Sequence, residues 1–385
     1  MRITSLGQMG MMAAVAAGIA AVPAAAETLE ERVAALEARE AAAAAPVSPT
    51  GFNLTFYGMV KGDLIYDNNY DLGNATTGIA AVTGATPEDS SSRAHAYQSR
   101  IGVKGSQMTD MGELKFNIEG DFFGSGGGNF RLRHAYGELG GLLAGQTWSL
   151  FTPVSELPAL IDFHGQSGQA GYRSPQVRYT YVTGNTSAAF AVEQDYSNWG
   201  GRVALVGALT QKFDWGSVKL AGISRKLDRL DGGEASSWGA TISANAKPWK
   251  GGLVQASYTT GEGIASLLPY GGYAGQQATA TSTQTFYELD ANGKAIGTKG
   301  VALAVSHEIS PLFEVGAAYG VSKYDEQAGA LPTGTDRLSA LHFNVKYKPV
   351  KPVVLGAEYI RSERRQYDGA KFDDDRIQLS AAFNF

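Results

Sequence analysis

There is no cysteine among the 385 residues, which excludes disulfide staples and thiolate metal sites. Histidine is scarce too: His95, His134, His164, His307 and His342 show no metal-ligand spacing. No HExxH or GxSxG motif occurs, and no glycine-rich phosphate loop precedes a helix. Nothing therefore marks an enzyme, and no cofactor is expected. An excess of positive charge is also missing. The net charge is −5, and removing residues 1–50 brings it to −3 by taking away three arginines and five glutamates. Nucleic-acid binding wants a basic excess, so no nucleic-acid partner is expected. No apolar run reaches the roughly 20 residues of a membrane-spanning helix, and no segment from Gly51 onward carries three turns of helical periodicity. A membrane protein is not thereby excluded, because a barrel strand needs only about 9–11 tilted residues with alternate ones facing lipid.

Two N-terminal elements stand apart from the rest. Met1-Arg2-Ile3 carries one positive charge, an alanine-rich apolar stretch runs from about Met9 to Val22, and Pro23-Ala24-Ala25-Ala26 follows. That order predicts a signal peptide over 1–26. In residues 27–45, Leu29, Val33 and Leu36 recur at spacings of four and three among good helix formers. So short a helix is marginal alone; it either associates with copies of itself as a coiled coil or remains a loose periplasmic extension. Residues 46–50 form a linker.

At Gly51 the period changes to two. Phe52, Leu54, Phe56, Val60, Leu64 and Tyr66 fall on one face, while Asn53, Thr55, Lys61, Asp63 and Asp67 fall on the other. A soluble strand averages about 5–6 residues, so this length suits a tilted membrane strand. The alternation recurs at Leu114–Phe122, Val177–Tyr181, Val203–Leu209, Val301–Ile309, Phe313–Tyr319 and Leu341–Tyr347. At the C-terminus Ile377, Leu379, Ala381, Phe383 and Phe385 oppose Arg376, Gln378, Ser380 and Asn384. Taken alone, those ten residues fit an ordinary half-buried strand or the closing strand of an outer-membrane barrel. With the export signal and the long first strand, the expectation is an all-β, transmembrane antiparallel β-barrel over 51–385. Connections at 108–112, 182–185 and 212–216 are short, while 68–93, 149–175, 262–281 and 325–336 are long, as in barrels with short periplasmic turns. About 21 residues per strand and connection give about sixteen strands.

Candidate functional residues follow from the polar face. Arg100, Lys104, Arg131 and Arg133 fall on the expected lumen side, and Arg178 and Arg202 follow beyond the long loop. Guanidinium groups in a narrow pore favour anions, carboxylates above all; alternatively these arginines pair with wall acids such as Glu113, Glu119 and Asp121. Residues 149–175 mix Leu150, Phe151, Leu157, Leu160, Ile161 and Phe163 with Glu156, Asp162 and His164. Such a loop either folds inward, with Glu156 and Asp162 opposing the arginines, or forms an extracellular flap or subunit contact. The expected function is a water-filled channel for passive diffusion of small hydrophilic solutes; the alternative is a structural or adhesive barrel with a plugged lumen.

The segments Phe56-Tyr57-Gly58-Met59-Val60-Lys61-Gly62-Asp63, Ser99-Arg100-Ile101-Gly102-Val103-Lys104-Gly105, Leu132-Arg133-His134-Ala135-Tyr136-Gly137-Glu138-Leu139 and Leu143-Ala144-Gly145-Gln146-Thr147-Trp148, with terminal Phe385, resemble the trimeric porins of Gram-negative outer membranes. The chain is most similar to the DcaP-like branch, whose members carry an N-terminal coiled coil. The resemblance implies sixteen strands, a homotrimer, a third loop folded into the pore, and small anionic solutes such as dicarboxylic acids. It further implies an outer-membrane setting among lipid and lipopolysaccharide, with the N-terminal helix in the periplasm and Phe385 read by the barrel assembly machinery.

Overall fold

The computed structural model describes residues 51–195, 202–229, 231–270, 288–326, 330 and 332–385. The expected signal peptide, helical segment and linker lie outside the described residues. The strands are β1 (Asn53–Asp67), β2 (Ser91–His95), β3 (Arg100–Thr109), β4 (Gly112–Gly124), β5 (Asn129–Leu139) and β6 (Leu142–Trp148). After a long loop come β7 (Arg173–Thr183), β8 (Thr186–Gln194), β9 (Val203–Phe213), β10 (Gly216–Asp228), β11 (Glu234–Ala246) and β12 (Gly252–Glu262). The last five are β13 (Gly297–Ser310), β14 (Phe313–Tyr324), β15 (Thr335–Tyr347), β16 (Val353–Gln366) and β17 (Lys371–Asn384).

All of them belong to one antiparallel sheet that closes on itself. β1 pairs with β17 from Met59↔Asn384 to Asp67↔Arg376. Gly58 and Phe385 then exchange both backbone hydrogen bonds, at 3.0 and 3.1 Å. The other edge of β1 is shared by β3, which pairs with Asn53–Met59, and β2, which pairs with Asp63–Asp67. Between these ladders, Val60–Gly62 of β1 face the longer stretch Ala96–Ser99. β2 and β3 are therefore two halves of one interrupted strand, and the barrel has sixteen walls. Closure leaves no sheet edge, which is what a backbone surrounded by hydrocarbon requires.

Alternation sorts the side chains as expected. Phe56, Val60, Ile101, Val177, Tyr179, Leu303 and Phe343 are exposed on the outside, while Asp121, Arg133, Gln176, Glu193, Thr259 and His342 are buried inside. An apolar exterior around a polar interior inverts the arrangement of a soluble protein and suits lipid. The short connections at 110–111, 140–141, 184–185 and 214–215 share one end of the barrel with the start of β1 and the end of β17.

The β6–β7 loop folds inward, but it is shorter than the expected 149–175: Arg173–Pro175 already pair with Gln146–Trp148. Residues 149–172 follow the inner wall. Glu193 of β8 accepts from Leu150 N, Lys219 of β10 donates to Thr152 O, and Gln255 of β12 donates to Ser155 O and Leu157 O. Farther round, Lys346 of β15 donates to Ala159 O, and Glu358 of β16 accepts from Ile161 N and Asp162 N. The loop then returns past β13 and β14. A Cβ on Gly168 (φ +84°) would collide with Val301 O and Val321 O, and one on Gly320 with Ser167 O. Glycine at both positions lets loop backbone lie directly on wall backbone.

Two apolar clusters fix the loops above. Leu150, Phe151 and Tyr172 pack with Val206, Ile223, Ile264 and Leu268. Tyr70, Leu72 and Ile79 pack with Tyr270, Tyr324 and Leu338. Packing inside the barrel thus accounts for Leu150, Phe151 and Tyr172 of the inner loop.

Candidate functional site

Opposite those clusters, β3, β4 and β5 carry charge. The ladders set Asp121 across from both Arg100 and Arg131. Arg131 grips Asp121 with two hydrogen bonds, 3.0 Å from Nε and 2.7 Å from Nη2. Arg133 donates to Glu119 at 2.6 Å and to Asp121 at 2.8 Å. Between His134↔Glu119 and Leu132↔Gly120 the register slips, so Arg133 is the extra residue of a bulge. The bulge lets Arg131, Arg133 and His134 all reach the inner side.

The two acids do not balance the cations. Arg100 lies 4.0 Å from Glu119, at the limit of an ion pair. Arg173, at the start of β7, has no carboxylate within 4.0 Å among the described residues. Its guanidinium stacks 3.5 Å from the Trp148 ring centroid, and its Nε donates to His134 Nε2 at 3.2 Å. His134 Nδ1 is 2.9 Å from Thr147 Oγ1, so the ring donates there and accepts from Arg173 as a neutral imidazole. Arg100, Arg131 and Arg133 therefore share Glu119 and Asp121, and Arg173 adds a fourth guanidinium with neither acid within 4.0 Å. Lys104 adds a fifth cation, 5.6 Å over the Tyr57 ring.

Arg100, Lys104, Arg131 and Arg133 thus gather on one wall. Arg178 stands apart on β7, half-buried with its Nε unpartnered. Arg202 lies at the opposite end from the short turns, in ion pairs of 2.6 Å with both Asp228 and Glu234. It does not join the cluster.

Neither loop acid presents a free carboxylate to the arginines. Glu156 is buried and accepts from Asn245 at 2.8 Å and from Ser243 at 3.3 Å. Asp162 accepts from Thr76 N at 3.1 Å and pairs with Arg376 at 3.5 Å. Burial favours the neutral form of Asp162, but Arg376 and neighbouring imidazoles outweigh it and hold the carboxyl below its ordinary range. Toward β4 and β5 the loop presents Phe163 and His164. Phe163 stacks on Phe123 at 3.7 Å and lies under Arg131 at 5.1 Å. Burial, opposed by Asp162, depresses the His164 pKa to about 4, so this ring is neutral near pH 7.

Sequence reasoning missed two arginines. Arg173 lies within the expected loop 149–175, and its role appears only because β7 begins there. Arg376 falls on the polar face of the last strand, and there it is fully buried, held by Asp67 at 2.6 and 2.9 Å and by Gly73 O. A signal for this pair existed. If Phe385 pairs with Gly58, counting back nine residues on one strand and forward nine on the other sets Arg376 opposite Asp67.

A closed antiparallel barrel with an apolar exterior, a charged interior and an infolded third loop defines an outer-membrane β-barrel of the porin class. The model of the DcaP outer membrane protein family matches residues 27–204. Among solved structures, it is similar to the outer membrane channel DcaP of Acinetobacter baumannii: 24% identity, 88% of this chain and 99% of that one, TM-score 0.74. It is also similar to OmpT of Vibrio cholerae, with 13% identity over 87% and 98% of the two chains and TM-score 0.60. An anion-selective porin from Comamonas acidovorans gives 14% identity, 87% and 100% coverage, and TM-score 0.58. No curated protein matches the chain.

Proposed function

We propose that the barrel is a diffusion channel for small hydrophilic solutes, with a preference for small anions of the dicarboxylic acid kind. The observation that carries this is the imbalance on one wall: Arg100, Arg131, Arg133 and Arg173 against Glu119 and Asp121, with the loop acids engaged elsewhere. A net positive wall in a narrow aqueous passage concentrates anions. Arginine forks, two of them incompletely neutralised, match carboxylates. Passage requires attraction without trapping, which shared rather than isolated cations provide. The likeness to a porin described as anion-selective agrees with this reading.

The test is reversal potential in planar bilayers under a salt gradient. Replacing Arg131 and Arg133 together by alanine should move it toward cation selectivity; an unchanged potential removes them from the eyelet. The apolar clusters inside the barrel favour a second reading, a plugged structural or adhesive barrel. Single-channel recording separates the two, since a channel gives stable steps and a plug gives silence.

Assembly as a homotrimer, with residues 27–45 as a periplasmic coiled coil, completes the reading. Steps in threes would support the trimer. Trimers that survive detergent equally well without residues 27–45 would show that wall contacts hold them. Phe385 is exposed on the lipid side while its backbone is held by Gly58, which suits recognition of its ring during assembly before the ladder closes.

A further inference from the structure

The inner loop has an underside that the arginine wall does not explain. Leu157, Pro158 and Leu160 are only half-buried and border a cavity of 710 Å³ against β12–β15 and the turn that precedes β12, near the end that carries the short turns. Partly open apolar side chains in an aqueous lumen are costly unless something covers them. The loop backbone there is already fixed, by Gln255 on Leu157 O and Lys346 on Ala159 O. The strip is therefore held facing the cavity rather than loosely packed.

Charge at the cavity divides into engaged and free groups. Glu314 is held by Lys346 at 2.9 Å and Lys348 at 2.6 Å. Lys247 and Lys250, by contrast, are exposed and have no carboxylate within 4.0 Å among the described residues, and Glu308 has no cation within that distance. Glu308 lies beside the lysine turn, since its N–H donates to Gly251 O at 2.8 Å. Free cations and a free carboxylate thus border one cavity without neutralising each other, beside an apolar strip. A simple anion would meet Glu308 and a simple amine would meet the lysines. A molecule carrying both charges and an apolar side chain satisfies all three features, and the volume is in the range of small-molecule sites.

We propose that this recess binds small zwitterions with aliphatic side chains, the chemistry of a free apolar α-amino acid. Carboxylate lies toward Lys247 and Lys250, ammonium toward Glu308, and the side chain against Leu157, Pro158 and Leu160. The inference rests on the channel reading only for how a solute arrives; binding itself is separable from ion selectivity.

The experiment is calorimetric titration of the detergent-solubilised full chain with L-leucine, 4-methylpentanoate and 3-methylbutylamine. The expected order places L-leucine about tenfold tighter than either singly charged analogue, one charge contact being worth roughly that factor. Glu308→Gln should erase the advantage of leucine over 4-methylpentanoate while leaving the latter's affinity unchanged or improved. The Lys247→Gln, Lys250→Gln pair should weaken both carboxylates, and Leu160→Ser should weaken leucine without changing the order of the probes. Arginine-wall variants should shift reversal potential and leave leucine binding intact, so failure of one idea is distinguishable from failure of the other. Equal affinity for leucine and 4-methylpentanoate, indifference to both charge variants, or no binding to the unaltered chain overturns the proposal.

Discussion

At the scale of single residues, the inner loop is fixed by one buried arginine and one half-buried imidazole. Arg376 bridges Asp67 and Asp162 with no exposure to solvent. Removing one partner from such a pair leaves buried charge uncompensated, at a cost of about 3–5 kcal/mol. Arg376→Met should lower the thermal unfolding midpoint of the solubilised barrel, and paired Asp67→Asn with Asp162→Asn should recover part of the loss. His164 gives a pH signature. Its folded pKa, about 4, lies below the 6.5 of an ordinary histidine, so its stabilising effect is complete above pH 6.5 and declines as pH falls toward 4. Asp162 has a depressed pKa, so its contribution persists through that window and fades only below the ordinary carboxylate range. The unfolding midpoint should therefore fall between pH 6.5 and 4 in the parent, and the slope should flatten in His164→Gln. A parent with no slope there would contradict the assignment.

At the scale of elements, the loop tip is tied to the seam where the barrel closes. Glu358 of β16 accepts from Ile161 N and Asp162 N, and Lys61 of β1 donates to Ile161 O at 2.7 Å. Glu358→Ala leaves both amide donors buried without their acceptor. It is expected to give larger and noisier single-channel steps; quiet steps of parental size would mean that the remaining anchors suffice. Alternation made the wall strands legible because lipid and lumen impose opposite chemistry on neighbouring residues. The interruption between β2 and β3, the bulge at Arg133 and the early start of β7 were not legible. Each depends on a register between strands, and no single strand's periodicity encodes it.

For the molecule as a whole, closure is the step on which everything else depends. A Cβ on Gly58 would meet Arg100 O and the Phe385 ring. Gly58→Val should therefore reduce the fraction that migrates as folded barrel in unheated electrophoresis, with little effect on expression; a parental folded fraction would show that the seam tolerates the added bulk.

The sequence by itself determined the kind of object: a strand-built wall with one face for lipid, one for water, and an apolar loop too long to lie idle in solvent. Those are local properties, written in alternation and composition, and they survive uncertainty about which strand meets which. Only the tertiary structure decided which charges remain free. Glu156 and Asp162 read as an acidic face opposing the arginines, yet one is held by Asn245 and the serines and the other by Arg376. Arg173 read as loop, yet it stands with the wall cations. Net field at a point is a sum over neighbours distant in the chain, and only ring closure together with the infolded loop brings residues 67, 162 and 376 to one place.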